Sequence, residues 1–294
     1  MLVDTNMRKT DFILRPMQLS DIGDAMILSN AEGWNQTVKD WKLLIENPEN
    51  VCMVAEYDNK VIGTTTAINY SNQVAWIGMV LVGKEYRGQG ISKSLLTDVF
   101  KKLESCKSIK LDATPAGQKV YKKFGFTDEY PIARMTNESM KDLPTDEDNE
   151  ILQEPIHLKH IQEIIALDEI IFGANRMQLI KMLIKEYHAK AWLLKRDSNI
   201  TGFALGRAGN KYYQIGPVVA SNITDAKNLI TKALADLIMQ PVVVDVLCDK
   251  EELIAWLNSI GFIKQRHFIR MYKKENCFPG VIDKQYLICG PEFG

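Results

Sequence analysis

The chain contains two copies of one sequence pattern, and this repeat constrains its fold more than any other feature. The stretch "VAEYDNKVIGTTTAI" (residues 54–68) aligns with "LLKRDSNITGFALG" (residues 193–206), and each is interpreted as strand, polar turn and strand. "WIGMVLV" (residues 76–82) likewise matches "YQIGPVVA" (residues 213–220). Each copy then has a helix ending in Gly-Phe and a strand ending in Arg-Met. The repeat predicts two domains of the same fold.

Length and composition agree with this division. The chain has 294 residues, of which 46% are hydrophobic and 25% charged, enough for two domains with packed cores. Between the copies, "NESMKDLPTDEDNE" (residues 137–150) is acidic and poor in aliphatic residues, as linkers are. We predict a first domain at residues 1–138, an acidic linker at 139–150 and a second domain at 151–294; the two domains are called the first and second copy below.

Charge and cysteine usage argue against several classes of protein. With 36 basic and 37 acidic residues, the net charge of -1 offers no strong field for a nucleic acid. Neither a signal peptide nor an apolar stretch of membrane-spanning length is evident. The five cysteines are scattered, without metal-ligand spacing to each other or to the four histidines. We expect a cytoplasmic protein without metal, nucleic-acid or membrane partners; a homodimer is left open.

Hydrophobic periodicity predicts an α/β fold, a mixed α+β sheet flanked by helices. "TVKDWKLLIEN" (residues 37–47) places its apolar residues on one helical face, as does the segment from Gly90 to about Glu104. Between them lie a hairpin and a β-branched apolar strand that ends at Val82.

The stretch "MVLVGKEYRGQGISKSLL" (residues 79–96) joins that strand to the following helix through two glycines. Gly88 and Gly90 permit a tight turn and a close approach of the backbone to a ligand. The first turn of the helix offers unpaired N–H groups and the positive end of its dipole, which together suit a phosphate. Arg87 adds a cation and Ser92 a hydroxyl. On its own this pattern is also compatible with a simple structural turn.

In its context, "RGQGIS" (residues 87–92) resembles motif A of the GNAT superfamily of N-acetyltransferases, Arg/Gln-x-x-Gly-x-Gly/Ala, with Ser92 in place of the last small residue. The resemblance implies that the loop holds the pyrophosphate of acetyl-CoA while the preceding strand binds the pantetheine arm through its backbone. The cofactor-binding residues implied are Val80, Leu81, Val82, Arg87, Gly88, Gln89, Gly90, Ile91, Ser92 and Thr114.

A second stretch, "LDATPAGQKVYKKFGF" (residues 111–126), resembles the next strand, helix and Gly-Phe turn of the same family. Thr114 and Pro115 have the residue types of an N-cap and a first helical position. The resemblance implies a catalytic role for Tyr121, which would protonate the departing thiolate. The alternative for Tyr121 is a half-buried packing residue.

Acyl transfer to an amine requires a neutral amine, a donor for the oxyanion and a proton for the thiolate. A backbone N–H near Met79 or Val80 is the expected oxyanion donor. The general base is left open between Glu32, Asp40, Asp112 and water. The acceptor-binding residues are expected to be Trp34 and Asn35, between the first two helices, and Trp76, at the start of the central strand.

The second copy lacks these features. "SNITD" (residues 221–225) replaces the glycine loop, and its Asp225 would cap the helix and repel a phosphate. Counted from the Gly-Phe turn, Leu257 takes the position of Tyr121. The second copy is therefore predicted not to bind acetyl-CoA in the usual way. Residues 285–294 and Arg176 are expected at the interface of the copies, completing the acceptor pocket; a stabilising partner fold or a dimer surface is the alternative.

The whole arrangement resembles tandem-GNAT proteins with an intact first and a degenerate second domain. It implies an acetyl-CoA-dependent N-acetyltransferase, in which the primary amine of a small molecule attacks the thioester directly. The alternatives are acetylation of a protein N-terminus or lysine, and a non-catalytic acyl-CoA sensor. The sequence does not identify the acceptor or the acyl-chain preference.

Overall fold

The structure, a computed structural model, describes residues 11–141, 143 and 152–294. Its contacts define two compact units: the described residues up to Ile68 with Ile77–Ser105, and Asn69–Trp76 with Cys106–Gly294. These units are not the two sequence copies, whose limits at 138 and 151 stay a prediction. Most of the expected linker, residues 142 and 144–150, lies outside the described residues.

The first unit is built on strands in the order β1-β2-β3-β4. Strands β3 and β4 continue into the second unit at residues 69–76. The predicted helices are confirmed, with Thr37 as the N-cap of the second. The elements are β1 (Ile13–Pro16), α1 (Ile22–Ala31), α2 (Val38–Glu46), β2 (Val51–Tyr57), β3 (Lys60–Tyr70), β4 (Val74–Val82) and α3 (Ile91–Lys102).

The second unit has strands in the order β5-β12-β6-β11-β13-β10-β9-β8-β7. Strands β10 and β11 pair in parallel, whereas the neighbouring strands pair antiparallel, so the predicted mixed sheet is confirmed. The elements are β5 (Ser108–Ala113), α4 (Pro115–Lys123), β6 (Thr127–Asn137), β7 (Leu152–Pro155), α5 (Ile161–Phe172), α6 (Met177–Glu186), β8 (Trp192–Arg196), β9 (Asn199–Ala208), β10 (Tyr213–Val219), α7 (Ile223–Leu234), β11 (Val242–Leu247), α8 (Glu251–Ser259), β12 (Ile263–Lys274) and β13 (Gln285–Leu287).

The element order confirms the repeat, because β7 to β12 with α5 to α8 follow the same succession as β1 to β6 with α1 to α4. The matched hairpin turns have the same backbone conformation: φ is +51° and +59° at Asp58 and Asn59, and +49° and +67° at Asp197 and Ser198. Two successive positive φ angles are the conformation of the two-residue turns that suit a twisted hairpin.

The last strands of the two copies are exchanged within the second unit. Strand β12, from the second copy, lies between β5 and β6 of the first, while β6 also pairs with β11 of the second copy. In this register Arg270 stands opposite Asp112, and Arg134 stands opposite Asp245. The two arginines are the equivalent residues of the Arg-Met repeats, so each copy supplies a strand to the sheet of the other.

Two buried ion pairs accompany this exchange. Arg134 donates two hydrogen bonds of 2.8 Å to the carboxylate of Asp245, and Arg270 donates bonds of 2.9 and 3.0 Å to that of Asp112. The four side chains are at most 8% exposed. A bidentate arginine–carboxylate pair fixes the positions of both partners, so the pairs define the register of the exchanged strands.

Candidate functional site

The glycine loop of the first copy leads directly into α3, as expected from the sequence. Gly88 and Gly90 have φ of +79° and +85°, a conformation that favours glycine, and a Cβ atom on either would meet no atom within 4 Å. No side chain caps the start of α3 at Gly90. The first N–H groups of a helix lack intrahelical partners, so this open helix start can receive an anion.

Arg87 stands beside this helix start but is already paired. Its Nη2 lies 2.6 Å from Glu32 Oε1, and its Nε donates to the carbonyl of Val82 at 3.1 Å. The Arg87 side chain is 49% exposed, so a bound anion can still reach it. The sequence did not indicate the pair with Glu32, which engages one of the general-base candidates.

An open groove of about 690 Å³ runs along α3 from the loop. Lys93 and Lys101 line it and carry positive charge, with Asp11 and Asp98 among the other lining residues. Sequence reasoning did not single out these lysines. The sequence could have indicated Lys93 as an anion-binding residue, because it is a cation in the first turn of the helix that follows the glycines.

Strand β4 is distorted where the resemblance places the thioester. Met79 has φ of +51°, and its carbonyl accepts a hydrogen bond of 2.7 Å from the Thr64 hydroxyl. A left-handed non-glycine residue inside a strand is uncommon and interrupts its regular pairing. Val80 and Val82, which follow, are partly exposed, while Leu81 is buried.

Tyr121 lies on α4, and Thr114 caps that helix as predicted by accepting a hydrogen bond of 3.2 Å from the Gly117 N–H. Gly117 leaves room for the tyrosine ring, since a Cβ there would lie 3.0 Å from Tyr121 Cε2. The ring also packs edge-on against Phe126, with centroids 5.8 Å apart. Tyr121 as a whole residue is partly exposed, but desolvation raises the pKa of its hydroxyl above the usual value of about 10, so the hydroxyl stays protonated well beyond neutral pH.

The other two general-base candidates have structural partners as well. Asp40 accepts from the Thr37 N–H at 2.7 Å and completes the capping box of α2. Asp112 is fully buried in its pair with Arg270, and burial raises the pKa of this carboxyl. The structure therefore gives each candidate carboxylate a partner, and the base stays unassigned.

The expected acceptor residues differ in accessibility. Trp34 is partly exposed and Asn35 only 4% exposed, in the connection between α1 and α2. Trp76 is 1% exposed; its Nε1 donates to the carbonyl of Pro291 at 2.9 Å, and the guanidinium of Arg270 lies 4.5 Å from its ring centroid. Of the three, Trp34 has the freest surface for an acceptor.

The start of α7 in the second copy is closed. The cap is Asn222 rather than the expected Asp225: its side chain accepts from the Asp225 N–H at 2.9 Å. The Asp225 carboxylate, 1% exposed, instead binds Arg196 at 2.7 Å. Leu257, at the position of Tyr121, is fully buried.

Within residues 11–141, 143 and 152–294, no helix is long and apolar enough to cross a bilayer. In the same ranges no three side chains of His, Cys, Asp or Glu converge as they would around a metal ion.

Both copies match models of one family. Residues 23–126 match the acetyltransferase (GNAT) family, and residues 164–287 match an acetyltransferase (GNAT) domain. The chain is 26% identical over 249 residues to a holothin acyltransferase from Pseudoalteromonas sp. (strain SANK 73390), covering 83% of this chain and 81% of that one. It is 24% identical over 188 residues to the uncharacterized N-acetyltransferase YitH of Bacillus subtilis (strain 168), covering 64% and 66%.

Solved structures share the fold over nearly the whole chain. A protein from Pyrococcus horikoshii described as a candidate acetyltransferase superposes with a TM-score of 0.79 at 21% identity, covering 96% of both chains. A tandem GNAT protein from the clavulanic acid biosynthesis pathway gives a TM-score of 0.62 at 10% identity, covering 90% of this chain and 98% of that one. With both halves matched, the chain belongs to the GNAT superfamily, as an acyltransferase with two GNAT domains in tandem.

Proposed function

We propose that the first copy transfers an acetyl group from acetyl-CoA to the primary amine of a small molecule, by direct attack of the amine on the thioester. The observation that carries the proposal is the uncapped start of α3 behind two left-handed glycines. Phosphates bind at helix starts of this kind because N–H groups and the helix dipole point at them. The residues present fit the pyrophosphate of acetyl-CoA, since the space above both glycines is open.

In this proposal the groups of the first copy have separate tasks. Arg87 and the N–H groups of residues 88–92 hold the pyrophosphate, and the backbone of Val80 to Val82 holds the pantetheine arm. An N–H beside the left-handed Met79 stabilises the oxyanion. Tyr121, which is protonated at neutral pH, donates its proton to the thiolate.

A small-molecule acceptor is supported by the relative named as a holothin acyltransferase, whose name specifies one compound. Nothing in the site favours the sensor alternative over an enzyme.

The test is calorimetric titration of acetyl-CoA into the intact chain and into the double variant Arg87→Glu/Gly90→Asp. We expect one equivalent to bind the wild type and binding by the variant to weaken more than a hundredfold, because two acids face the phosphates. Gly23→Asp/Lys42→Glu is the matched control: it makes the same charge changes at exposed residues of α1 and α2, Gly23 having no atom within 4 Å of its Cβ position. Undiminished binding by the loop variant would refute the proposed pyrophosphate site at residues 87–92.

A screen of amines follows, in which each amine is incubated with protein and acetyl-CoA and free thiol is measured. Release of thiol that depends on the amine and stops in the loop variant identifies acceptors. If the chain binds acetyl-CoA but none of the amines tested causes release of free thiol, the enzymatic part of the proposal is contradicted.

A further inference from the structure

The cleft of the second copy is filled by the chain itself. Strands β10 and β11 pair in parallel at residues 213–215 and 242–244, and β13 then lies between them. Leu287 of β13 is opposite both Val218 of β10 and Val246 of β11. Further backbone bonds run from the Ala220 N–H to the carbonyl of Lys284 at 3.2 Å and from the Ile288 N–H to that of Asp245 at 3.0 Å.

The same edge in the first copy is left more open. The repeat matches Val80 with Val218 and Val82 with Ala220. Val80 and Val82 are partly exposed, whereas both Val218 and Ala220 are completely buried. In the proposed function, on which this inference rests, Val80 to Val82 bind pantetheine through their backbone. In the second copy, main-chain groups of residues 284–288 therefore bond along β10 and β11 where the arm would lie.

The cleft accommodates this segment closely. A Cβ atom at Gly216 would lie only 2.0 Å from the carbonyl oxygen of Ile288. Gly216 also has φ of +143°, which few residues other than glycine adopt. A side chain at this position would force the segment or the surrounding backbone to shift.

Buried ion pairs hold the rest of the segment. Glu292, 3% exposed, is bound by Arg207, which is 1% exposed. The carbonyl oxygen of Gly294 accepts a hydrogen bond of 2.6 Å from Arg176, which in turn is paired with Asp168. Charges this deeply buried are stable only with well-placed partners, so the site selects for the segment's acidic residue.

Two side chains of the β3–β4 hairpin also bind residues 285–294. The Tyr70 hydroxyl donates to the carbonyl of Phe293 at 2.8 Å, and Trp76 donates to that of Pro291. Both side chains are at most 4% exposed. Residues 285–294 are therefore bound as a peptide ligand would be, by backbone pairing and by side-chain pockets.

We propose that the cleft of the second copy is a strand-binding site whose ligand is the chain's own residues 285–294, and that this segment excludes acyl-CoA from the second copy. The Asn222 cap agrees with this, because it occupies the helix start that a pyrophosphate would need. Each chain then binds a single acetyl-CoA.

Hydrogen–deuterium exchange on the full chain, with and without saturating acetyl-CoA, tests the proposal. We expect residues 285–288 to be protected in the free protein, and acetyl-CoA to slow exchange at residues 80–92 while leaving 285–294 unchanged. Calorimetry should give one equivalent. Faster exchange at 285–294 on adding acetyl-CoA, or two equivalents bound, would show that the cofactor displaces the segment and would overturn the proposal.

A failure of the proposed function is recognisable separately. If acetyl-CoA slows hydrogen exchange nowhere in the chain, the proposed acetyl-CoA site of the first copy is wrong. Protection of residues 285–288 in the free protein then still tests whether the segment occupies the cleft, and rapid exchange there would overturn the inference by itself.

The variant Gly216→Ala changes the cleft and leaves the sequence of residues 285–294 unaltered. We expect exchange at residues 285–288 to rise at least tenfold, because the added methyl group displaces the Ile288 carbonyl. The control is Gly23→Ala, at an exposed glycine where an added Cβ would meet no atom within 4 Å. It should leave hydrogen exchange at residues 285–288 unchanged. Unchanged exchange in folded Gly216→Ala would contradict the inference; if this variant does not fold, the wild-type experiment decides.

Discussion

The hydroxyl of Tyr121 is the side-chain group on which the proposed chemistry depends most. We expect Tyr121→Phe to lower kcat by roughly 10²-fold, at the lower end of what a general acid contributes, and to leave acetyl-CoA affinity unchanged. Steady-state kinetics and calorimetry measure the two effects. The control is Tyr57→Phe, which removes a hydroxyl from a side chain that is 41% exposed. Full activity in Tyr121→Phe would exclude the assigned role.

The pH dependence provides an independent check of Tyr121. A tyrosine acid is active only while protonated, and burial raises its pKa above the usual value of about 10. The active form is therefore fully populated at low and neutral pH and is lost only as pH rises through the raised pKa. We expect no alkaline decline of kcat from this residue below about pH 10. A decline near pH 8 that disappears in Tyr121→Phe would contradict the raised pKa.

Residues of the candidate site that depend on local chain geometry could be predicted from the sequence. The two glycines and the Thr114 cap lie where expected, because each is set by its immediate neighbours. The pair between Arg87 and Glu32 joins residues 55 positions apart, and no spacing in the sequence reports it. The burial of Trp76 was missed for the same reason, since Pro291, which covers it, is distant in the chain.

Among the secondary-structure elements, the exchanged strands rely on two equivalent ion pairs. We expect Arg270→Met to destabilise the chain by about 3–5 kcal/mol, because it leaves Asp112 buried without its partner. Asp112→Leu/Arg270→Met should lose less than the sum of the single variants, since both charges are then gone. Denaturant unfolding measures the free energies.

An exposed pair serves as the control for that cycle. Lys122 and Asp128 are 2.7 Å apart with side chains 53% and 38% exposed, so Lys122→Met should cost less than about 1 kcal/mol. Additive effects of the Asp112 and Arg270 variants would show that the two residues do not act as a pair.

The sequence predicted most elements but not how their strands would be exchanged. Hydrophobic periodicity, caps and turn residues determine each helix and hairpin locally. The repeat assigns β6 and β12 to equivalent positions, yet it cannot tell which copy supplies their neighbours, since both copies present the same strand edge. Asp112 and Asp245 occupy matched positions in the repeat, as do Arg134 and Arg270, so the sequence is equally compatible with pairing within a copy and with pairing between copies.

For the whole molecule, strand exchange means that the first copy is incomplete alone. A chain ending at residue 138 retains β5 and β6 but loses β12, which lies between them, and β11, which pairs with β6. Unpaired strand edges expose backbone groups and promote aggregation. We expect the 1–138 fragment to show no cooperative thermal transition by circular dichroism and no acetyl-CoA binding, in contrast to the full chain. A cooperatively folded fragment that binds acetyl-CoA would contradict this expectation.

The exchange also has a consequence for how the protein is made. During translation β5 and β6 emerge long before β12, and at ordinary ribosome speeds the interval is on the order of ten seconds. Over that time the nascent chain carries strand edges whose partners do not yet exist. The interval is longer still for Tyr70 and Trp76, whose hydrogen-bond acceptors are the carbonyls of Phe293 and Pro291. Residues synthesised 223 and 215 positions later therefore complete the packing of this hairpin, and we expect the nascent chain to bind chaperones during that interval.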